Sequence, residues 1–213
     1  MSIQSNIKQI KSCIKHAKLV VVTKHQNLKD IQEVYHLGEK NFGENRVTDL
    51  LYKKEQLPND IKWHMIGHLQ TNKVKMIASF IHMIQSVDSL KLLHVINKNG
   101  AKHKRKINCL IQVKIAEEET KYGFSIKDAK KILQSNYKEE YKNINIKGVM
   151  GMASFTNNIQ QIKKEFRIIK ELSNTLNPNQ NILSIGMSND YKIACKEGSN
   201  MIRIGTSVFD KNL

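Results

Sequence analysis

The sequence predicts an α/β protein, a single (β/α)8 barrel of the TIM type with an extra N-terminal helix. Three observations point there. The run Leu19, Val20, Val21, Val22, Thr23 is unbroken and apolar, the pattern of a strand buried on both faces in a parallel sheet covered by helices. Seven further strand-like runs follow, separated by segments of helical periodicity. Eight such units are the count for the barrel, and an open doubly wound sheet would leave the extra strands unexplained.

Ile3, Ile7, Ile10 and Ile14 recur at helical spacing, so the chain opens with an amphipathic helix. Leu19 to Lys24 is strand one. Asn27 caps a helix carrying Leu28, Ile31, Val34 and Tyr35 on one face, and Gly38 stops it. Asn41 to Glu44 is strand two, and Val47, Leu50, Leu51 and Leu57 mark a helix that ends at Pro58. Ile61 to Ile66 reads as strand three, Thr71 to Ala78 as its helix and Phe80 to Gln85 as strand four. Asp88 then caps a helix through Leu90, Leu93 and Ile96 that Gly100 closes. Ile107 to Ile115 is strand five, and the loop EEETKYGF leads to a capping box at Ser125 and Asp128. Ile144 to Met150 is strand six, followed by a long helix from Ile159 to Leu176. Asn181 to Gly186 is strand seven, Asp190 to Lys196 a short helix and Met201 to Ile204 strand eight. The closing TSVFDKNL is too short for a full helix, so the N-terminal helix is expected to cover that gap.

Composition bounds the rest. The 213 residues, with two prolines and no linker-like stretch, read as one domain spanning 1–213. No apolar run approaches the roughly 18 residues of a membrane span, and the N-terminus lacks the apolar core of a signal peptide, so a cytoplasmic location is expected. Cys13, Cys109 and Cys195 are scattered without metal-ligand spacing. The formal charge of +16 raises nucleic acid as a partner, but 31 of the 35 basic residues are lysines and only 4 are arginines, with aromatics at 6%. Nucleic-acid readers draw on arginine forks and aromatic stacking, so the composition disfavours that class. The dense basic run from Lys102 to Lys106 reads as a solvated connector.

Polar residues and glycines gather where the strands end, which in a barrel is the active face. Lys24 follows strand one. At such a strand end desolvation makes a lysine amine a usable nucleophile; the alternative is a surface lysine that merely ends the strand. Glu44 and Asn45 follow strand two, Gly186 to Asp190 follow strand seven, and Gly205, Thr206 and Ser207 follow strand eight. Barrels often bind phosphate with the last two loops, for which Ser188, Gly205 and Thr206 supply hydroxyls and close approach; the alternative for Ser188 and Thr206 is ordinary helix capping. Strand alternation places Met201, Arg203 and Gly205 on one face, pointing Arg203 into the barrel, where either a ligand or an internal ion pair would satisfy it. His64 and His68, about 13 Å apart on a strand, are no zinc pair. Gly38 to Gly43 has phosphate-loop spacing, yet Glu44 stands where lysine is required. A strand-one lysine facing a phosphate site is the constellation for pyridoxal phosphate (PLP), whose aldehyde condenses with an amine.

The stretches VVVTKH, NFGEN, WHMIGHLQTNK, SVDSLKL, KGVMGMASFT, LSIGMSNDY and IRIGTSVF closely resemble the PLP homeostasis protein family, also called YggS/PROSC, from about Leu19 to Phe209. The resemblance implies a barrel like the N-terminal domain of alanine racemase, PLP on Lys24, phosphate held by Ser188, Gly205 and Thr206, Arg203 facing the pyridine nitrogen, and Asn45 lining the pocket less directly. Thr23, His25, Asn41 and Ile185 depart from the commoner residues without removing a ligand. It implies a monomeric PLP carrier serving intracellular vitamin B6 homeostasis, with apo PLP enzymes as recipients, rather than an enzyme. The rival, a racemase-like enzyme, needs a second base that related racemases draw from a further domain and a partner subunit, and this chain ends seven residues beyond Thr206.

Overall fold

The computed structural model describes residues 2–118, 121–176 and 180–210. Among them, eight parallel strands close in sequence order: β1 (Lys18–Val22), β2 (Asn41–Glu44), β3 (Lys62–Met65), β4 (Met83–Val87), β5 (Ile107–Val113), β6 (Ile144–Gly151), β7 (Ile182–Ser184) and β8 (Met201–Ile204). The last strand pairs with the first, Val20 beside Arg203 and Val21 beside Ile204. Ten helices accompany them: α1 (Ile3–Ile14), α2 (Leu28–His36), α3 (Val47–Gln56), α4 (Val74–Ile77), α5 (Leu90–Lys102), α6 (Ile126–Gln134), α7 (Tyr137–Glu140), α8 (Ile159–Asn174), α9 (Tyr191–Lys196) and α10 (Thr206–Phe209). The predicted (β/α)8 barrel with its extra N-terminal helix is therefore the observed architecture.

Alternation along the strands separates two cores. Val20, Met83, Leu110, Met150 and Met201 fill the barrel lumen. Leu19, Val21, Phe42, Trp63, Met65, Ile84 and Ile202 face outward into the much larger layer beneath the helices. The helices reach that layer by the faces their periodicity marks: α1 buries Ile3, Ile7, Ile10 and Ile14, and α2 buries Ile31 and Val34. Asn27 caps α2 by accepting the Asp30 N–H, Ser125 caps α6 by accepting that of Asp128, and Gly38 holds φ +94 after α2. The tail after β8 forms one turn of helix, α10. Asn6 of α1, 2% exposed, donates to the carbonyls of Val208 and Asp210, which is how the N-terminal helix covers the short closing segment.

Several expected boundaries move. The helix after β4 is capped by Ser89, whose hydroxyl accepts the Leu92 N–H, and not by Asp88, whose carboxylate is engaged by His68. Gly100 lies inside α5 rather than closing it; a Cβ there would stand 2.9 Å from the Asn143 carbonyl, so close packing explains the glycine. Strand four begins at Met83, later than expected, because a turn carries the chain through Phe80 and Ile81. The segment Thr71 to Ala78 divides into a 3-10 turn, Thr71–Lys73, and the single turn α4. In the connector after α5, Arg105 is no solvated charge: its guanidinium donates to the carbonyls of Ala78 and Ile81 and ties two loops together. Residues 119–120 of the EEETKYGF loop and 211–213 of the tail lie outside the described residues.

Candidate functional site

Strand β1 stops at Val22, and the chain turns at once. Gln26 donates its N–H to the Thr23 carbonyl at 3.1 Å, closing a four-residue turn with Lys24 and His25 at its centre. His25 holds φ +63, in the left-handed region that side chains other than glycine seldom adopt. Lys24 is exposed and makes no hydrogen bond or ion pair among the described residues. The desolvation expected from a strand end is thus absent, because the strand ends two residues before the lysine. The residue ahead of it is buried: the Thr23 hydroxyl donates to Glu44 Oε1 at 2.6 Å, and Lys53 Nζ from α3 donates to the same oxygen at 2.5 Å and to the Thr23 carbonyl at 2.6 Å.

The loops after β7 and β8 arrive beside this turn. A Cβ on Gly205 would lie 3.0 Å from the Val22 carbonyl oxygen, so glycine lets the end of β8 press against the end of β1. Gly205 occupies the cap position of α10 and Thr206 is its first residue, exposed at the rim; the Val208 N–H already donates to the Gly205 carbonyl at 2.8 Å, and the Thr206 N–H has no acceptor among the described residues. Ser207 donates its N–H to Ser188 Oγ at 3.4 Å, bridging the two loops. Capping does not explain these residues as expected. Asp190, not Ser188, stands ahead of α9, accepting the Met187 N–H at 2.6 Å, and Thr206 is inside its helix. Gly186 makes the intervening bend with φ +99.

Arg203 does point into the lumen and is 3% exposed. Its partners are neutral oxygens and not an ion pair. Nη1 donates to the Ser184 carbonyl at 2.8 Å and to Ser184 Oγ at 2.6 Å, and Nη2 donates to the Gly151 carbonyl at 3.0 Å; Nε has no partner among the described residues. Burial among neutral acceptors pulls its pKa down to about 10, opposed by the nearby Asp190 carboxylate, so the guanidinium remains charged near neutrality. Behind it a buried chain crosses the lumen. Ser184 Oγ donates to Gln85 Oε1 at 2.7 Å, Gln85 Nε2 donates to His64 Nδ1 at 3.0 Å, and His64 Nε2 donates to Asn41 Oδ1 at 3.3 Å. Burial holds the His64 pKa well below its ordinary value, which fits the neutral tautomer that this direction of donation requires.

Asn45 is half-buried at the end of β2, and its Oδ1 is a buried acceptor with no partner among the described residues. Across the rim, His68 Nδ1 pairs with Asp88 at 2.7 Å while its ring stacks on Tyr122 at 3.9 Å between centroids. No group of three or more His, Cys, Asp or Glu residues that could hold a metal occurs among the described residues. The structure therefore brings Lys24, Gly205, Thr206, Ser188 and Arg203 to one end of the barrel through the β1–β8 seam. Sequence reading missed Ser184 and Gln85 and weighed His64 only as a metal ligand, although the strand alternation that located Arg203 places each of them inward as well. It also missed Lys53, for which α3 offers no signal beside the half-buried Lys54.

Comparison with known proteins follows the same lines. The family "Alanine racemase, N-terminal domain" matches residues 1–212. A protein of Aquifex aeolicus called pyridoxal phosphate homeostasis protein is 36% identical over 198 residues, covering 91% of this chain and 86% of its own. Among solved structures, PipY of Synechococcus elongatus without PLP superposes with a TM-score of 0.90 at 28% identity, covering 98% of this chain and 100% of that one. The same protein with PLP bound gives 0.85 at 27%, with the same coverage. Alanine racemase of Clostridium difficile shares the fold, with a TM-score of 0.79 at 12% identity, this chain covering 56% of its length.

Proposed function

The chain belongs to the PLP homeostasis protein family, on the alanine racemase N-terminal barrel, and from that premise we propose that residues 1–213 act as one PLP-binding domain holding PLP reversibly as a Schiff base on Lys24, as part of intracellular vitamin B6 homeostasis. The single observation carrying the reading is the seam that presses Gly205 against Val22, two residues before Lys24. One open amine thereby shares a rim with the exposed Thr206, whose N–H has no acceptor among the described residues.

The residues present fit the group. PLP supplies an aldehyde, with which the unprotonated Lys24 amine condenses, C=N replacing C=O as the two amine hydrogens leave with the oxygen as water. Thr206, Ser207 and Ser188 offer hydroxyls to the phosphate, Thr206 adds its backbone N–H, and Gly205 lets backbone approach it. Arg203, charged and held by three acceptors, would face the pyridine nitrogen of a bound PLP. A fixed cation there disfavours a protonated ring and so weakens it as an electron sink, which suits holding PLP better than catalysing with it. Asn45 Oδ1 adds an acceptor at the pocket edge. Apo PLP enzymes are the recipients in this reading, the protein acts as a monomer, and nucleic acid is not a partner.

The test is an absorbance spectrum with PLP beside Lys24→Ala, followed by borohydride reduction and peptide mapping. The parent should turn yellow and carry the reduced adduct on Lys24, and the variant should do neither. A variant that keeps the band, or adducts scattered over surface lysines, would refute the reading. Racemase assays on the same sample decide against the enzymatic alternative if they are silent.

A further inference from the structure

Thr23, Glu44 and Lys53 form a buried cluster that holding PLP does not itself require. They are 0%, 0% and 5% exposed and sit in the otherwise apolar layer between barrel and helices. Glu44 Oε1 accepts from both Lys53 Nζ and the Thr23 hydroxyl, and Lys53 also donates to the Thr23 carbonyl, which shares its peptide bond with the Lys24 N–H. The same carbonyl accepts the Gln26 N–H that closes the turn. The hydroxyl and the carbonyl of the residue preceding Lys24 are therefore both gripped from beneath.

Stability alone is a weak reason for such a cluster, since a buried ion pair seldom outperforms well-packed apolar residues of the same volume. Geometry supplies a stronger one. The turn carries His25 at φ +63, and the Lys24 side chain has no hydrogen bond or ion pair among the described residues to fix where its amine points. Holding the turn's first carbonyl fixes the direction in which the lysine leaves the backbone.

We propose that Lys53 and Glu44 form a positioning clamp that, through Thr23, aims the Lys24 amine at the aldehyde of a PLP seated by its phosphate on the β7 and β8 loops. This inference rests on the function proposed above. Lys53 and Glu44 touch neither the aldehyde nor the phosphate, so they govern condensation without governing the seat.

The test separates the two by ligand. PLP reports seat plus condensation, and 4′-deoxypyridoxine 5′-phosphate, with a methyl in place of the aldehyde, reports the seat alone. In the full chain, Glu44→Met/Lys53→Met replaces the pair with apolar side chains of similar length, and Thr23→Val removes only the hydroxyl. Both variants should bind the analogue as the parent does. The double variant should form the borohydride-trappable Lys24 adduct about tenfold more slowly, the scale expected for a misplaced reacting group, and Thr23→Val should slow it less. Adduct formation at the parental rate, or equal weakening of PLP and the analogue, overturns the clamp. If the double variant fails to fold, Thr23→Val decides by the same two outcomes. Absence of any Lys24 adduct in the parent would instead defeat the function on which the clamp rests.

Discussion

Replacing Ser184 by alanine tests whether the buried chain behind Arg203 is a true relay of hydrogen bonds. The hydroxyl, fully buried, makes two of them: it accepts from Arg203 Nη1 at 2.6 Å and donates to Gln85 Oε1 at 2.7 Å. Loss of a bond to a charged donor costs about 1.5–3 kcal/mol, and a buried acceptor left unpaired costs about 1–3 kcal/mol. Arg203 keeps the carbonyls of Ser184 and Gly151, and Gln85 keeps His64, so the lower half of the combined range applies, about 3 kcal/mol. In a domain of this length each kcal/mol moves the melting midpoint by about 2–4 °C, which gives a fall of about 6–12 °C. Urea denaturation of parent and variant, followed by circular dichroism, measures the difference directly, and the denaturant slope should not change because the surface exposed on unfolding does not. A loss below about 1 kcal/mol would show that Gln85 and Arg203 find equivalent partners without the hydroxyl, and the relay would have to be abandoned.

Two further outcomes follow from other parts of the molecule. Gly148 in β6 holds φ +149, and a Cβ there would stand 2.0 Å from the Ile182 carbonyl, so Gly148→Ala must push β7 away; we expect a loss beyond about 4 kcal/mol or an insoluble product, and a soluble variant with parental melting would contradict the strand register. Glu118 accepts the Phe155 N–H at 2.9 Å, and that bond, before any other cause, lowers its pKa from 4.5 to about 2. A depressed carboxylate contributes stability that is present above its unfolded value and lost as pH falls through the folded one, so the hold on the loop after β6 should weaken between pH about 4.5 and about 2; amide exchange at Phe155 that stays constant across that window would oppose it.

The sequence showed most of the fold because strand and helix periods differ so sharply. Four isoleucines marked α1, and three valines marked β1, before any coordinate was needed. Local punctuation was less legible. Asp88 and Ser89 both suit a helix cap, and only the pull of His68 on the aspartate decides between them. Gly100 looks like a stop until the Asn143 carbonyl is seen against it. In the site, alternation correctly turned Arg203 inward, but its acceptors are the carbonyls of residues 19 and 52 positions away, which no spacing rule supplies. Lys24 was found through its place at the end of an apolar run, yet its environment was misjudged, since one or two residues of strand length separate a buried amine from an open one. Lys53 carried no signal at all: its burial depends on where α3 lands over the ends of β1 and β2.

The β1–β8 seam also sets a clock. Lys18 pairs with Met201, about 180 residues later in the chain, so at a synthesis rate of about 5–20 residues per second the first strand waits roughly 10–40 s for its partner. Through that interval one edge of a parallel sheet stands open, the condition under which nascent chains pair wrongly or recruit chaperones. No chain that lacks β8 can bring the turn of Lys24 beside Gly205, so the proposed ligand seat forms only after β8 has joined β1. Any ligand that binds there therefore selects, by mass action, for copies whose barrel has closed.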